Sequence, residues 1–285
     1  MPVGRPDSEE TDILFYIAKH RFSVVLEKIL HHVFSQVQPA SDLDSRIYAL
    51  DTEIMATYAA MPEQFRIRSM SESVFASPTL VVARFCVNMM YEKCRCVLHR
   101  PHVATGRKDS ILACNSSANN IVECFIDAHT AFRNGGHMEM ERWFMSAITW
   151  HDFLLGCAAA CLVLCSASRH GLIALIEPTK TCNLLRQAQA VLSEHAAESR
   201  DAVQVQKVVN LVLLRFADGA HPNTTPAVHP IPAIATNSVH FEDMAHTGLD
   251  TDMMNFGWDE SYSQPITDLS WAWLEEFLNT DQMTA

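Results

Sequence analysis

Residues 153–165 read FLLGCAAACLVLC, thirteen apolar or small positions without a charge. A membrane-spanning helix needs about 20 such residues, so a stretch this short is expected to be a core helix. Counted from Trp150, the segment is apolar on nearly every side of a helical wheel. That pattern predicts a central helix wrapped by others rather than a surface helix with one wet face. Cys157, Cys161 and Cys165 recur every fourth position and so line one face between alanines and leucines. A thiolate there would be costly to bury, whereas a neutral thiol packs as a small hydrophobe, so the three sulfurs are expected to fill the core.

Working outward, apolar residues keep helical spacing as far as Phe216, and glycine and proline fall mostly between segments. The spacing predicts helices over 8–37, 43–60, 78–99, 109–133, 138–169, 179–197 and 200–217. Asp7 and Ser8, Asp42, and Pro78 stand at three of the starts, and Gly135-Gly136 and Gly171 at two of the stops. In the first helix Ile13, Ile17, Phe22, Val25, Ile29 and Val33 lie close to one stripe that would pack on a core. No period-2 alternation competes over a useful length. The fold class expected is all-α: an irregular multi-helix domain over 1–217 around one central apolar helix, followed by a mostly disordered tail.

The composition changes at Asp218. The chain has a net charge of −12. Residues 1–217 hold all 21 Lys and Arg and 22 of the 33 acids, whereas residues 218–285 hold 11 acids and no Lys or Arg. A surface without a basic surplus does not bind phosphate non-specifically, and the acidic tail would repel nucleic acid. Pro222, Pro226, Pro230 and Pro232, spaced by small polar residues, make 218–240 an extended linker. Nine cysteines in a chain opening MPVGRPDSEE fit a reducing compartment better than a disulfide framework, with no secretory leader and no membrane association expected.

Enzyme classes with recognisable signatures find no support. There is no G-x-S-x-G, G-x-G-x-x-G, G-x-x-x-x-G-K-[ST], H-E-x-x-H or D-D-x-x-D run. Zinc ligands sit two to four residues apart across a turn, whereas Cys94 and Cys96 point about 200° apart on a helix. His31-His32 and His99-Arg100-Pro101-His102 lack acid or thiol partners at a supporting spacing. No catalytic residue, cofactor or metal is expected in this chain.

Three passages resemble one family. Residues 47–51, Ile-Tyr-Ala-Leu-Asp, run on to Tyr58-Ala59-Ala60-Met61-Pro62-Glu63-Gln64-Phe65-Arg66. Residues 85–91, ending at Tyr91, lead into Val97, Leu98, His99, Arg100 and Pro101. Ser110, Cys114 and Ala118 then follow at four-residue steps. Together these are similar to the fungal-specific transcription factor domain, the helical middle region of binuclear zinc-cluster regulators, and the likeness covers roughly residues 10–217. Tyr91, Leu98, His99, Arg100 and Pro101 would be its structural signature. Leu98 would end the apolar stripe, His99 and Arg100 would meet the last carbonyls, and Pro101 would stop the helix.

The resemblance implies a nuclear transcription regulator, controlling a pathway or metabolite gene set. Members of this family carry an N-terminal six-cysteine zinc cluster, a basic linker and often a coiled coil. None is read here, so this chain alone is not expected to bind DNA. Zinc would enter only with a cluster upstream of Met1. Either the chain works without its own DNA-reading module, or the module lies upstream. The alternative is a non-DNA-binding helical partner that heterodimerises with a full-length regulator; a homodimer is also open.

The tail carries the second functional signal. Phe256 and Trp258 sit among Asp250, Asp252, Asp259 and Glu260; Trp271, Trp273, Leu274, Phe277 and Leu278 sit among Asp268, Glu275 and Glu276. Acids around aromatics keep the rings in water until a groove accepts them as a short helix. Phe256, Trp258, Trp271, Trp273, Leu274 and Phe277 are the expected contacts to transcription machinery or a coactivator.

Overall fold

The computed structural model describes residues 13–34, 42–197 and 199–218, with the side chains of 146, 147, 217 and 218 left aside. Its helices are α1 (Leu14–Phe34), α2 (Leu43–Ala59), α3 (Pro78–Val103), α4 (Lys108–Phe132), α5 (Arg142–Phe144), α6 (Trp150–Arg169), α7 (Pro178–His195) and α8 (Arg200–Asp218). There is no strand among the described residues, and the domain is all-α. The expected linker over 218–240 and the expected tail over 241–285 lie outside them, save Asp218.

α6 occupies the centre. Between Trp150 and Ala167 only His151 is exposed. Among the described residues α6 alone would suit a membrane span by length and hydropathy, yet 89% of its most apolar window is buried inside the protein. Phe153 stacks on Phe125 of α4 with ring centroids 4.2 Å apart, and Trp150 tilts against both rings. Such aromatic pairs add about 0.5–1.5 kcal/mol to the burial of their area. α4 in turn packs against α3 and α7, and α3 against α1, α2 and α6. At Gly156 α4 and α6 approach closely: a Cβ there would lie 2.6 Å from Ile121 Cγ2.

The start of α3 follows from local chemistry. Ser77 is extended, its Oγ accepts the Leu80 amide at 3.3 Å, and Pro78 occupies the first turn, where no amide is needed. At α2, Asp42 stands at the start as expected but makes no cap; its carboxylate takes Arg46 at 3.2 Å one turn on. Gly171 ends α6 with φ +68°, a conformation few residues other than glycine adopt.

Three features differ from the sequence expectation. In the first helix, described from Leu14 to Phe34, the stripe expected to pack on the core is buried at Phe22, Val25 and Ile29, whereas Ile13 and Ile17 are exposed; Asp7 and Ser8 lie outside the described residues. The expected single helix over 138–169 is broken into a 3-10 turn Glu139–Glu141, α5, a π-turn Met145–Thr149 and α6. In the π-turn the buried Thr149 hydroxyl donates to the Met145 carbonyl at 3.1 Å and supplies a partner for that carbonyl. Periodicity cannot anticipate such a substitution. The third difference concerns Pro101.

Candidate functional site

α3 was expected to stop at Pro101, and it does not. The proline lies inside the helix, which continues to Val103. A helical proline removes the bond to the carbonyl four residues back, here Val97. The loss is confined to one group in the last turn, and continuing lets Val103 bury completely. The final carbonyls are met from α6: Ser166 Oγ donates to Val103 O at 2.5 Å, and His170 Nε2 stands 3.2 Å from Ala104 O. His99 and Arg100, expected to meet those carbonyls, face other partners.

His99 is 3% exposed and ties three helices together. Its Nδ1 is 3.2 Å from Ser110 Oγ on α4, and its Nε2 is 3.4 Å from Asp51 Oδ1 on α2. Arg95, one turn earlier, donates from Nε to the same Asp51 oxygen at 3.0 Å. Burial works to raise the Asp51 pKa, but His99 and Arg95 outweigh it and hold the carboxyl below its usual range. Tyr91 stacks on Tyr58 of α2 with centroids 4.3 Å apart, and the Arg95 guanidinium lies 5.8 Å from the Tyr91 ring. Leu98 is fully buried.

The order Asp51, His99, Ser110 has the residue types of a catalytic triad. The Ser110 hydroxyl, however, belongs to a residue with no exposed surface, so no substrate reaches it. The contact from His99 Nε2 to Asp51 is too long for a good hydrogen bond, and the same carboxylate already serves Arg95. The cluster works as a three-helix tie.

Behind that tie runs a buried polar seam between antiparallel α3 and α4. Asn88 Nδ2 meets Cys124 Sγ at 3.4 Å, Asn120 Nδ2 donates to Glu92 Oε1 at 2.8 Å, and Cys96 and Cys114 sulfurs stand 4.0 Å apart. Arg100 lies at the end of the seam, beside the Cys96 and Cys114 thiols. Its Nη1 is buried without a hydrogen-bond partner, and burial lowers its pKa. Sequence reading placed Arg100 at a helix end and so missed a buried cation. The signal was the four-residue recurrence of Glu92, Cys96 and Arg100 on one face.

Glu92 is 4% exposed, and its Oε2 finds no partner. Burial pushes its carboxyl above the usual range, against the Asn120 bond and the Arg95 charge. A carboxyl whose folded pKa is raised stabilises the fold below its unfolded pKa; that contribution is lost as pH rises through the folded pKa. Glu92→Gln keeps an acceptor for Asn120 and removes the ionisation. Its melting temperature is expected to exceed that of the native protein at pH 7, with the gap closing towards pH 4. Equal melting temperatures at both pH values would refute the assignment.

Most of the cysteines pack as core side chains. Eight of the nine are buried and all are free. Burial pushes the thiols of Cys86, Cys94 and Cys124 up to about 12, and it raises those of Cys157 and Cys161 well above the usual thiol value. Among the described residues no three His, Cys, Asp or Glu side chains are placed to hold a metal ion. Cys94 and Cys96 diverge, one beside Lys93 and Asp152, the other against Cys114. Of the surface pair expected at His31-His32, His31 is exposed while His32 is half-buried, 6.2 Å from the His102 ring. The expected tail contacts Phe256, Trp258, Trp271, Trp273, Leu274 and Phe277 lie outside the described residues.

Comparison with known proteins points to one class, the Zn(2)-C6 fungal-type transcription factors, at low identity over about three quarters of the chain. The chain is 25% identical over 227 residues to the Zn(2)-C6 fungal-type transcription factor pigI of Monascus ruber, covering 75% of this chain and 28% of that protein. To mpsB of Macrophomina phaseolina, named likewise, it is 26% identical over 228 residues, 75% of this chain and 30% of that protein. To the pyrrolocin cluster transcription factor fsdR of a fungal species it is 24% identical over 254 residues, 82% and 32% respectively. The chain thus spans less than a third of the length of the curated relatives it matches. No family model matches it, and no solved structure does.

Proposed function

We propose that this chain is a nuclear transcription regulator. Its helical domain receives a signal, and its residues 241–285 recruit transcription machinery or a coactivator to a pathway or metabolite gene set. The observation that carries the reading is the likeness to transcription factors along three quarters of the chain. The distribution of charge supports it: the part without Lys or Arg is also the part that sets aromatic residues among acids. DNA would be reached through a module or partner other than the described helices, because residues 1–217 carry no basic surplus.

The test is to fuse residues 241–285 to a heterologous DNA-binding module upstream of a reporter. Reporter output is expected to rise at least tenfold over the module alone. Replacing Trp258, Trp271, Trp273 and Phe277 together by Ala should return it to background. An inert fusion, or activation that survives the four replacements, would remove the recruitment reading.

A further inference from the structure

Between α2 and α3 the chain runs Arg66-Ile67-Arg68-Ser69-Met70-Ser71-Glu72 across the surface. Arg66, Arg68, Ser69 and Ser71 are exposed, and only Met70 of the seven is buried. Arg66 is extended, and the chain enters no helix again before the 3-10 turn Ser71–Ser73. That turn rests on bonds from the Glu72 amide to the Ser69 carbonyl and from the Ser73 amide to the Met70 carbonyl, each 3.2 Å. Two such bonds at the surface open readily. Ser69 Oγ accepts the Glu72 amide at 3.3 Å, whereas Ser71 Oγ meets only Ser69 Oγ, at 2.9 Å, among the described residues. The arginines here lack acids: among the described residues no carboxylate pairs with Arg66, Arg68 or Arg84. Arg84, 7% exposed in the second turn of α3, donates from Nε to the Gln64 carbonyl at 2.7 Å. Burial, and then the charge of Arg68, lower its pKa. A buried cation is ordinarily paired, yet the group that faces this one is a second guanidinium.

We infer that Ser71 is a phosphorylation site for a protein kinase that selects arginine five and three residues before the serine, and that Arg68 and Arg84 receive the phosphate. Kinases discriminate substrates by charge pattern, and carboxylates in the substrate groove take guanidiniums in charge-assisted bonds. Arg66 and Arg68 stand at those two spacings, exposed and on extended backbone. In the transfer the Ser71 oxygen bonds to the γ-phosphorus of a nucleoside triphosphate while the bond from that phosphorus to the β-phosphate oxygen breaks. The nucleoside diphosphate leaves, and the hydroxyl proton passes to the catalytic base of the kinase. The product places about −1.5 to −2 charges three residues from Arg68. Its oxygens give Arg68 and Arg84 the anion that the chain does not supply, and the α2–α3 loop is thereby fastened to α3 only when Ser71 is modified.

The test is to incubate the folded full chain with ATP and a kinase of that specificity and to map the product by mass spectrometry. One phosphate is expected, placed at Ser71 by fragmentation of the peptide that carries it. Arg66→Ala and Arg68→Ala should each slow the transfer at least tenfold, and Ser71→Ala should abolish it. Both arginines are exposed, so these variants should unfold at the native temperature. The phosphorylated chain should melt at a higher temperature than the unmodified one, and added salt should narrow the difference. A folded chain that takes no phosphate, a phosphate at Ser69 or elsewhere, or transfer indifferent to both arginines would overturn the site. Identical melting with and without the phosphate would overturn its reception by Arg68 and Arg84.

Discussion

Gly156→Val is expected to destabilise the domain by about 3 kcal/mol or more, enough to lower Tm by roughly 8 °C in a protein of this size. Glycine is a poor helix former, and an alanine in an open helix would gain about 1 kcal/mol. Position 156 reverses the sign because α4 crosses there: the added Cβ would stand 2.6 Å from Ile121 Cγ2, 3.0 Å from Ile121 Cβ and 3.3 Å from Val122 Cγ2. Both neighbours are buried, and branched side chains have few rotamers with which to yield. Urea unfolding measures the loss. Ile121→Ala in the Gly156→Val background should recover part of it, since the two sites share one space. Full stability of Gly156→Val would mean that α4 and α6 do not meet at this glycine.

The second large effect lies at Lys93 and Asp152, which pair at 2.7 Å between α3 and α6. Burial works to lower the Lys93 pKa, but the Asp152 carboxylate outweighs it and holds the ammonium above its usual value. Asp152→Ala leaves that charge without its counter-ion. Breaking a buried pair from one side costs about 3–5 kcal/mol. The Lys93 side chain keeps 24% of its surface in solvent, so about 2–3 kcal/mol is expected here. The double variant Lys93→Met with Asp152→Leu should unfold at nearly the native urea concentration, because an apolar pair of similar volume removes both desolvation penalties. A double variant as unstable as Asp152→Ala alone would show that the aspartate acts through something other than Lys93.

Much of this fold was legible because apolar periodicity reports burial directly. The all-round apolar character of residues 153–165 predicted the central helix, and α6 is buried along that length. Gly171 and Pro78 marked helix ends because each acts through its own backbone. What stayed hidden depends on partners distant in sequence. The run of α3 past Pro101 needs Ser166 and His170, more than sixty residues on, to meet its last carbonyls. The tie at His99 joins Asp51, Arg95 and Ser110 from three helices. Asp51, His99 and Ser110 had each been noted in family-like passages, but spacing alone does not bring three passages to one point. The Lys93 and Asp152 pair gave no sign at all, since neither residue has a charged residue three or four positions away on its own helix that would mark it as special.

These helices carry a domain whose likeness is to transcription factors, and on the proposed function the chain regulates transcription. The most direct measurement combines transcript profiling with chromatin immunoprecipitation of the intact chain, in cells from which it has been removed and then restored. A defined set of genes is expected to fall on removal and recover on restoration, with the chain at their promoters. Restoring it with Trp258, Trp271, Trp273 and Phe277 replaced by Ala should leave occupancy intact and expression low. Unchanged transcripts on removal, with the chain absent from chromatin, would contradict it.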